Sequence, residues 1–285
     1  MEKRGVILVG LSLIFPVGAF QGRSQNPKLM KAGAAWRRSS SSLSRATIGV
    51  ADVLATPKWP AEWPFSAADF RRQDESSDQN FYAAPRFCFH VDDNAVAALT
   101  GYYATTFREW ENPDILDICA SHVSHFPVDV DDFTGRRVAL GMNEEELREN
   151  KQCGEYFVKD LNVDPVLPFE DNTFDIITNA VSIDYLNKPL EVCAEVARVL
   201  KPGGAALFAL SNRCFPTKAV DIWLRTNDLE HVFVVGSYFH YTGKFLPPSA
   251  SEVSPNQDTM PTVGEGGGTS QNIAYLAVVK AVVDK

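Results

Sequence analysis

Three histidines are the side chains of this chain best suited to proton transfer, because an unperturbed imidazole titrates near neutral pH. They are His90, His122 and His240, and no Ser/His/Asp or paired-carboxylate pattern accompanies them. Their spacing alone therefore gives none of them a role. His122 and His125 stand three residues apart, but no third ligand is evident near them. Solvated or hydrogen-bonded loop histidines are the simpler interpretation, and we expect no metal site.

The cysteines predict neither a zinc site nor a disulfide framework. There are five of them, an odd number, and they are widely spaced with no C-x-x-C pair. Buried free thiols are the expected state of such residues.

The elements that position the candidate side chains are clearest between Leu167 and Asn212. Phe174 to Val181 is a short apolar, β-branched run, which is typical of a strand buried on both faces of a parallel sheet. Residues 190–200 place apolar side chains at helical spacing, and Pro202-Gly203-Gly204 ends that helix before a second buried strand over 205–210. The segment therefore predicts a right-handed strand–helix–strand unit of a parallel sheet.

The same segment resembles a known protein family. The sequence LPFEDNTFDII, followed by EVARVLKPGG and an apolar strand, is similar to the second half of class I S-adenosylmethionine-dependent methyltransferases, in particular the type 11 small-molecule methyltransferases. The resemblance extends over residues 81–283. It implies an α/β, Rossmann-like class I methyltransferase fold with a seven-stranded, mostly parallel sheet flanked by helices. It also implies S-adenosyl-L-methionine as the cofactor.

The resemblance assigns the cofactor loop to the end of the first strand, Ile115 to Ala120. The family pattern there is an acid followed by alternating glycines, D-x-G-x-G-x-G, and Asp117 matches the acid. Cys119, Ser121 and Val123 stand at the three glycine positions. Small Cys and Ser side chains still permit a close approach of the backbone to a cofactor, whereas Val is bulky and β-branched. We therefore expect a degenerate glycine-rich loop.

The resemblance also implies binding residues at the ends of the following strands. The second strand ends at Gly141, where the family usually has an acid for the ribose hydroxyls, and Asn143 or Glu144 is a candidate replacement. Asp160-Leu161 matches the acid and apolar pair beside the adenine. Asn179 ends the fourth strand, where ligands bind in open α/β sheets. The predicted cofactor-binding residues are Asp117, Cys119, Ser121, Asn143, Asp160, Leu161 and Asn179, and the catalytic candidates are His90, Asn179 and His240.

Aromatic residues precede the sheet and are candidates for the acceptor side of a site. Residues 81–90 form an aromatic arm before a predicted helix over 95–106. In the family, a helix of this kind lies over the cofactor and helps to form the substrate pocket. By that analogy Tyr82, Arg86 and His90 are acceptor-side candidates, and a packed aromatic arm with a surface arginine is the alternative. An aromatic wall allows a quinone-like or other aromatic small-molecule acceptor.

The first 48 residues predict targeting. In residues 1–20, Lys3-Arg4 precedes a short apolar run that ends in small residues, which is the layout of a signal peptide. Residues 21–48 are rich in Ser and Arg and resemble a transit peptide. Together they resemble the bipartite presequence of complex plastids, so we expect plastid delivery, with the secretory pathway as the alternative. The remainder divides into an arm and cap helix, 49–110, and a methyltransferase-like domain, 111–285.

The charge of the remaining chain argues against nucleic-acid substrates. Residues 1–48 hold eight of the 27 Lys and Arg but only one of the 36 acids, which leaves 19 basic against 35 acidic residues, or −16. A body this acidic repels phosphate backbones. No segment after the presequence approaches the length of a membrane-spanning helix. The expected partner is therefore a small-molecule acceptor.

The expected activity is S-adenosylmethionine-dependent methyl transfer to that acceptor. The alternative is a non-catalytic protein with a methyltransferase fold that binds a ligand or partner. Cys119, Ser121, Val123 and Gly141 are the argument for that alternative. An NAD-dependent oxidoreductase ranks below both, because no G-x-G-x-x-G follows the first strand.

Overall fold

The computed structural model describes residues 15–16, 48–254 and 274–285. The strands are β1 Phe15–Pro16, β2 Ile115–Ile118, β3 Arg137–Gly141, β4 Glu155–Val158, β5 Phe174–Ala180, β6 Leu200–Ser211, β7 Arg213–Cys214, β8 Ser249–Glu252 and β9 Leu276–Val282. The helices are α1 Val50–Ala55, α2 Asp78–Phe81, α3 Asp93–Thr106, α4 Glu144–Glu149, α5 Pro189–Val199, α6 Asp221–Arg225 and α7 Asp228–Thr242. Short 3₁₀ turns lie at Ala67–Phe70, Phe107–Glu109, Val130–Asp132 and Ile183–Tyr185. Apart from 15–16 and residue 48, the predicted targeting segments 1–20 and 21–48 lie outside the described residues.

Seven of the strands form one sheet in the order β4-β3-β2-β5-β6-β9-β8. The first five of these are parallel, whereas β9 runs antiparallel to both of its neighbours. From β2 the chain adds β3 and β4 on one side, then returns to add β5 and β6 on the other. The order of the strands therefore reverses between β2 and β5. This sheet confirms the predicted seven-stranded, mostly parallel architecture.

Neighbouring residues of each central strand enter different cores, because successive side chains of a strand point to opposite faces. Ile115 of β2 and Ile176 of β5 belong to one apolar cluster, which α3 covers with Leu99 and Tyr103. The other face carries a larger cluster. Its members include Leu116, Ile118, Ile177 and Phe208 from the sheet, Val192 and Val196 from α5, and Val235 and Phe239 from α7.

The connection from β2 to β3 contains no α-helix. Residues 119–136 hold only the 3₁₀ turn Val130–Asp132, although neighbouring parallel strands are usually joined through a helix. Phe126 and Val130 of this connection are buried in the same cluster as Tyr103 of α3. The helix that precedes β2 therefore covers the sheet where a crossover helix would otherwise lie, and no helix begins directly behind the predicted cofactor loop.

The residues before α3 include regular secondary structure that the sequence analysis did not predict. They contain α1, a 3₁₀ turn and α2, and α1 packs closely on α7. A Cβ on Gly236 of α7 would lie 2.6 Å from a methyl carbon of Leu54. The absence of a side chain at Gly236 therefore allows α1 to pack directly on α7. No helix in the described part of the chain is long and apolar enough to cross a membrane.

Candidate functional site

A cleft of about 960 Å³, with the open solvent at its mouth included, lies at the carboxyl ends of the parallel strands. This is where ligands bind in open α/β sheets, at the point where the strand order reverses. Its floor consists of short segments that follow successive strands, and its roof consists of residues from the arm before α3. The floor includes Cys119–Ser121, Gly141–Asn143, Lys159–Asn162, Val181–Ser182 and Arg213–Phe215, and the roof includes Asp78, Tyr82, Arg86 and His90.

The loop after β2 keeps one glycine-like turn without a glycine. Cys119 has a φ of 57°, in the left-handed region that favours glycine. Neither Ser121 nor Val123 has a positive φ, so their side chains cause no backbone strain of this kind. Burial raises the pKa of the Cys119 thiol to about 12, and the Asp117 carboxylate adds to that rise. Cys119 is therefore a neutral thiol at the base of the cleft, whose backbone takes the left-handed conformation.

Asp117 and Asn179 lie beneath this loop and do not line the cleft. Asp117 is 2% exposed and accepts a hydrogen bond of 2.7 Å from Oγ1 of Thr178. Burial raises its pKa to about 7, although hydrogen bonds from Ser124 and Thr178 oppose the rise. Asn179 donates from Nδ2 to the carbonyl of Ile118 at 3.3 Å, and no described residue donates to its buried Oδ1. Both residues are placed to support the loop from below.

The end of β3 has no room for an acid. A Cβ on Gly141 would lie 2.1 Å from the carbonyl oxygen of Ala120. Ala120 is held there because its N–H donates to the carbonyl of Leu140 at 2.9 Å, which continues the pairing of β2 with β3 past the strand end. The family's ribose-binding carboxylate therefore cannot stand at position 141 with this backbone.

The side chain of Asn143 makes structural hydrogen bonds with both its oxygen and its nitrogen. Its Oδ1 accepts from the N–H of Glu146 at 3.0 Å, which caps α4, and its Nδ2 donates to the carbonyl of Tyr82 at 2.8 Å. The contact with Tyr82 joins residues 61 positions apart, so no local sequence pattern predicts it. As placed here, Asn143 fixes the arm over the cleft.

Glu146 is a cleft residue that the sequence analysis did not single out. It is 6% exposed, and its two carboxylate oxygens accept from Oγ of Ser121 at 2.7 Å and from the N–H of Arg86 at 2.6 Å. Glu146 thus joins the loop after β2, the arm and α4. The sequence signal that could have identified Glu146 is its position three residues after the N-cap Asn143, because a side chain there turns back toward the start of the helix.

Asp160 and Leu161 lie side by side on the cleft floor. Oδ1 of Asp160 accepts from the N–H groups of Asn162 and Val163, at 2.9 and 3.3 Å. No described residue donates to its Oδ2. Leu161 is 3% exposed and belongs to the larger apolar cluster. An acceptor oxygen beside an apolar wall suits a flat heterocycle that carries an exocyclic amine.

Of the three catalytic candidates, the structure brings only His90 into the cleft. Its buried Nδ1 has no hydrogen-bond partner among the described residues, and its ring meets Phe215 edge-on at 5.5 Å. Burial lowers the pKa of His90, and the Glu146 carboxylate opposes that fall. His240 is exposed and stacks on Trp59 at 4.7 Å, away from the cleft. Asn179 lies below the loop, as described above.

The roof of the cleft is held by a buried group of charges centred on Asp78. Nη1 of Arg72 lies 2.7 Å from one oxygen of Asp78, and Nζ of Lys218 lies 3.1 Å from the other. Nδ2 of Asn162, from the cleft floor, donates to Asp78 at 2.8 Å. The side chains of Arg72 and Asp78 are 5% exposed and that of Lys218 is 1% exposed. Asp78 thus ties the arm directly to the floor beside Asp160.

Arg86 and aromatic rings complete the roof. The guanidinium of Arg86 lies 4.5 Å from the ring centre of Phe81 and 5.5 Å from that of Phe215, and it donates to the carbonyl of Phe81 at 2.9 Å. Tyr82 and Tyr185 also line the cleft. In the described residues, no three His, Cys, Asp or Glu side chains form a group that could hold a metal ion.

These residues fit S-adenosyl-L-methionine at two places. Asp160 and Leu161 offer an acceptor and an apolar wall for the adenine, and the left-handed Cys119 permits the close backbone approach that the family obtains from glycine. The ribose end differs, since Gly141 has no carboxylate and Glu146 is the carboxylate in that part of the cleft.

Part of the chain is similar in sequence to known methyltransferases. The family model described as "Methyltransferase domain" matches residues 127–208, so the match begins after the degenerate loop. A ubiquinone/menaquinone biosynthesis C-methyltransferase from Ruegeria sp. (strain TM1040) is 36% identical over 73 residues, which are 26% of this chain and 28% of that protein. The sterol 4-C-methyltransferase strm-1 from Caenorhabditis elegans is 29% identical over 138 residues, 46% of this chain and 41% of that protein. The chain thus spans less than half the length of these relatives.

Solved structures are similar to the chain at lower identity. An S-adenosylmethionine-dependent methyltransferase from Archaeoglobus fulgidus is 9% identical, with a TM-score of 0.48 over 66% of this chain and 94% of that one. One from Mesorhizobium loti is 15% identical, with a TM-score of 0.46 over 65% of this chain and 97% of that one. The family model matches residues 127–208 to a methyltransferase domain, and the strand order of the sheet is that of the class I methyltransferase fold, for which S-adenosyl-L-methionine is the expected cofactor.

Proposed function

We propose that the cleft binds S-adenosyl-L-methionine and transfers its methyl group to a small-molecule acceptor. The observation that carries this proposal is the position of Asp160 and His90. The cleft at the carboxyl ends of the parallel strands brings together Asp160, of which only Oδ1 accepts hydrogen bonds from described residues, and His90, whose Nδ1 has no partner among them.

The bound cofactor would supply an activated methyl group for an in-line displacement. The chain's own residues then have to hold the two reactants in line and exclude water, an effect of roughly 7–11 kcal/mol in well-oriented intramolecular reactions. Asp160 and Leu161 hold the adenine end, and the backbone at Cys119 allows the rest of the cofactor to lie close to the end of β2. The roof, fixed by Asp78 and Asn143, closes the site from above.

His90 is the group best placed to accept a proton from the acceptor. Because burial lowers its pKa, the imidazole is neutral at neutral pH and its free Nδ1 can take a proton. The carboxylate of Glu146 favours the charged form of His90 and so stabilises the imidazolium that results. A hydroxyl, an amine or an acidic carbon would each need such a base.

We propose a ring-containing, largely apolar acceptor. Tyr82, Tyr185 and Phe215 provide aromatic surfaces in the same cleft as His90, and flat rings pack well on such surfaces. Two of the matched relatives are named for quinone and sterol methylation, which supports the same class. The atom that receives the methyl group follows from which acceptor atom reaches His90.

Calorimetric titration of S-adenosylmethionine and S-adenosylhomocysteine into the full chain tests the cofactor step. We expect micromolar binding of both, and Asp160→Asn should weaken both by about tenfold, because one good hydrogen bond to a charged group is lost. Asp129→Asn is the matched control, since that acid is exposed, pairs with Arg108 and does not line the cleft. The absence of both heat and a thermal shift at millimolar ligand would contradict the proposal.

Two observations favour a second candidate, a non-catalytic protein that uses the same fold to bind a ligand. A side chain at position 141 is excluded by the carbonyl of Ala120, and no helix follows the loop after β2. In this case the cleft would bind no S-adenosylmethionine, yet the methyltransferase fold would remain. The same titration therefore separates the two candidates.

We further propose that residues 1–48 direct the protein to a plastid. The support is the sequence pattern alone: a signal-peptide layout followed by a basic, Ser-rich tract. Residues 1–48 fused to a fluorescent protein should reach the plastid of an alga with complex plastids, and residues 1–20 alone should enter only the secretory pathway. Secretion of the longer fusion would contradict plastid delivery.

A further inference from the structure

Strand β4 forms an open edge of the sheet. No described segment pairs with its outer side, and the side chains of Tyr156 and Val158 are 39% and 53% exposed. Val163 and Val166 follow close behind the strand and are 71% and 53% exposed. An edge of this kind presents unpaired N–H and C=O groups and is a template for another strand.

The sequence of this edge is complementary to itself in the antiparallel direction. The residues are Glu155, Tyr156, Phe157, Val158 and Lys159, and the N–H of Lys159 still donates to the carbonyl of Gly141 at 2.9 Å. If two copies are paired about Phe157, each Glu155 lies opposite a Lys159 and each Tyr156 lies opposite a Val158. Opposite charges and aromatic–aliphatic pairs are the cross-strand pairs that stabilise antiparallel strands.

Charges already present in the chain would extend this match. Glu155 binds Arg136 through two contacts of 2.8 Å, and Nζ of Lys159 lies 2.5 Å from Asp164. Antiparallel pairing would place Arg136 and Glu155 of one copy in line with Lys159 and Asp164 of the other. The side-chain charges along that row alternate between positive and negative. The two-fold symmetry repeats the row at the other end of the interface.

We propose that β4 pairs with β4 of a second copy of this chain, antiparallel about a two-fold axis through Phe157, so that the two sheets become one continuous sheet. The pairing would cover the exposed Tyr156 and Val158 of both copies and satisfy the outer backbone groups of both strands. The proposal does not depend on the methyltransferase function, because the edge lies outside the cleft apart from Lys159.

Sedimentation velocity over a range of concentrations of the full chain tests this pairing, since a monomer of 31.5 kDa is readily separated from a dimer of twice that mass. We expect the wild type to dimerise. Glu155→Lys places two lysines opposite one another at each end of the interface, and Lys159→Glu places two glutamates there. Each variant alone should dimerise about tenfold more weakly or worse.

Mixing the two variants gives the decisive measurement. In a mixed pair every position 155 again lies opposite a position 159 of the other sign, so a heterodimer should form where neither variant forms a homodimer. Val128→Lys is the matched control, because that residue is 97% exposed and lies outside the edge. Circular dichroism establishes that each variant is folded.

Three results would overturn the proposal. The first is a wild type that stays monomeric at several hundred micromolar. The second is a dimer that neither charge variant weakens. The third is a mixture of folded variants that remains monomeric, because only the self-complementary register predicts its rescue.

Discussion

The carbonyl oxygen of Ala120 lies against Gly141 so closely that a Cβ at position 141 would stand 2.1 Å from it. The loop after β2 and the end of β3 are therefore packed backbone to backbone. This contact explains why the strand end that usually carries a ribose-binding acid has no side chain here. It also leaves Glu146, one turn into α4, as the buried carboxylate of that part of the cleft.

Gly141→Ala should destabilise the fold by about 2–3 kcal/mol, at the upper end of the cost of overpacking, because the nearest atom is the backbone carbonyl oxygen of Ala120, which the pairing of Ala120 with Leu140 holds in place. Urea denaturation measures this difference. Gly101→Ala is the matched control: it lies in α3 with no atom within 4 Å of an added Cβ, so it should stabilise the fold by about 0.5–1 kcal/mol. Equal effects of the two substitutions would show that the Ala120 contact is unimportant.

Asp117→Asn should remove a pH dependence of stability. Burial raises the folded pKa of Asp117 to about 7, well above the unfolded value of about 3.9. The protonated carboxyl of Asp117 therefore contributes its full stabilisation below the pKa of the unfolded chain, and this stabilisation is lost as the pH rises through about 7. Between pH 4 and pH 8 the loss is at most about 4 kcal/mol.

Chemical denaturation of the wild type and of Asp117→Asn across that range checks this prediction. The variant should gain stability relative to the wild type as the pH rises, because its amide cannot ionise. Asp129→Asn removes an exposed ion pair with Arg108, and its stability should change with pH in parallel with that of the wild type. A constant difference between the wild type and Asp117→Asn would mean that Asp117 is ionised throughout.

Asp78→Asn should cost about 3–5 kcal/mol at pH 7, because it leaves the buried cations Arg72 and Lys218 without their shared carboxylate. Burial tends to raise the pKa of Asp78, but the bonds from Arg72, Asn162 and Lys218 outweigh it and lower the pKa. A carboxylate with a lowered pKa stabilises the fold at pH values above its pKa in the unfolded chain. This stabilisation is lost as the pH falls through its pKa in the folded protein.

The destabilisation by Asp78→Asn should accordingly shrink below about pH 4. Asp129→Asn is again the control, and it should change stability by no more than about 1 kcal/mol at either pH, since exposed pairs contribute little. A variant as stable as the wild type at pH 7 would show that Arg72 and Lys218 find other partners.

His90→Gln should lower kcat by roughly 10²–10⁴-fold for an acceptor that must lose a proton, while the affinity for S-adenosylhomocysteine stays unchanged. In the wild type, kcat should fall on the acid side with a midpoint below the ordinary imidazole value, because burial lowers the pKa of His90. His240→Gln is the control, since that imidazole stacks on Trp59 outside the cleft. A loss of cofactor affinity in His90→Gln would assign His90 to binding instead.

The sequence predicted the sheet well because its signals are local. The strand Phe174–Ala180 and the helix Pro189–Val199 each follow from the types and spacing of neighbouring residues. The predicted helix stop Pro202-Gly203-Gly204 was wrong in detail, because the helix ends at Val199 and these residues lie inside β6, which begins at Leu200. Hydrophobic burial along one chain segment needs no partner to be recognised, and the order of such segments specifies parallel pairing. The same holds for the position of the cleft, because strand ends define it.

Tertiary structure alone decided which side chains meet in the cleft. Glu146 joins Ser121 to Arg86, and Asp78 joins the arm to Asn162, across separations of 25 to 84 residues. His240, which is as good a base as His90 by type, lies on another surface. Contacts of this kind depend on how α3 and the arm close over the sheet, and on the space that Ala120 leaves beside Gly141. No residue spacing encodes such distances, because they are fixed only when distant segments pack together.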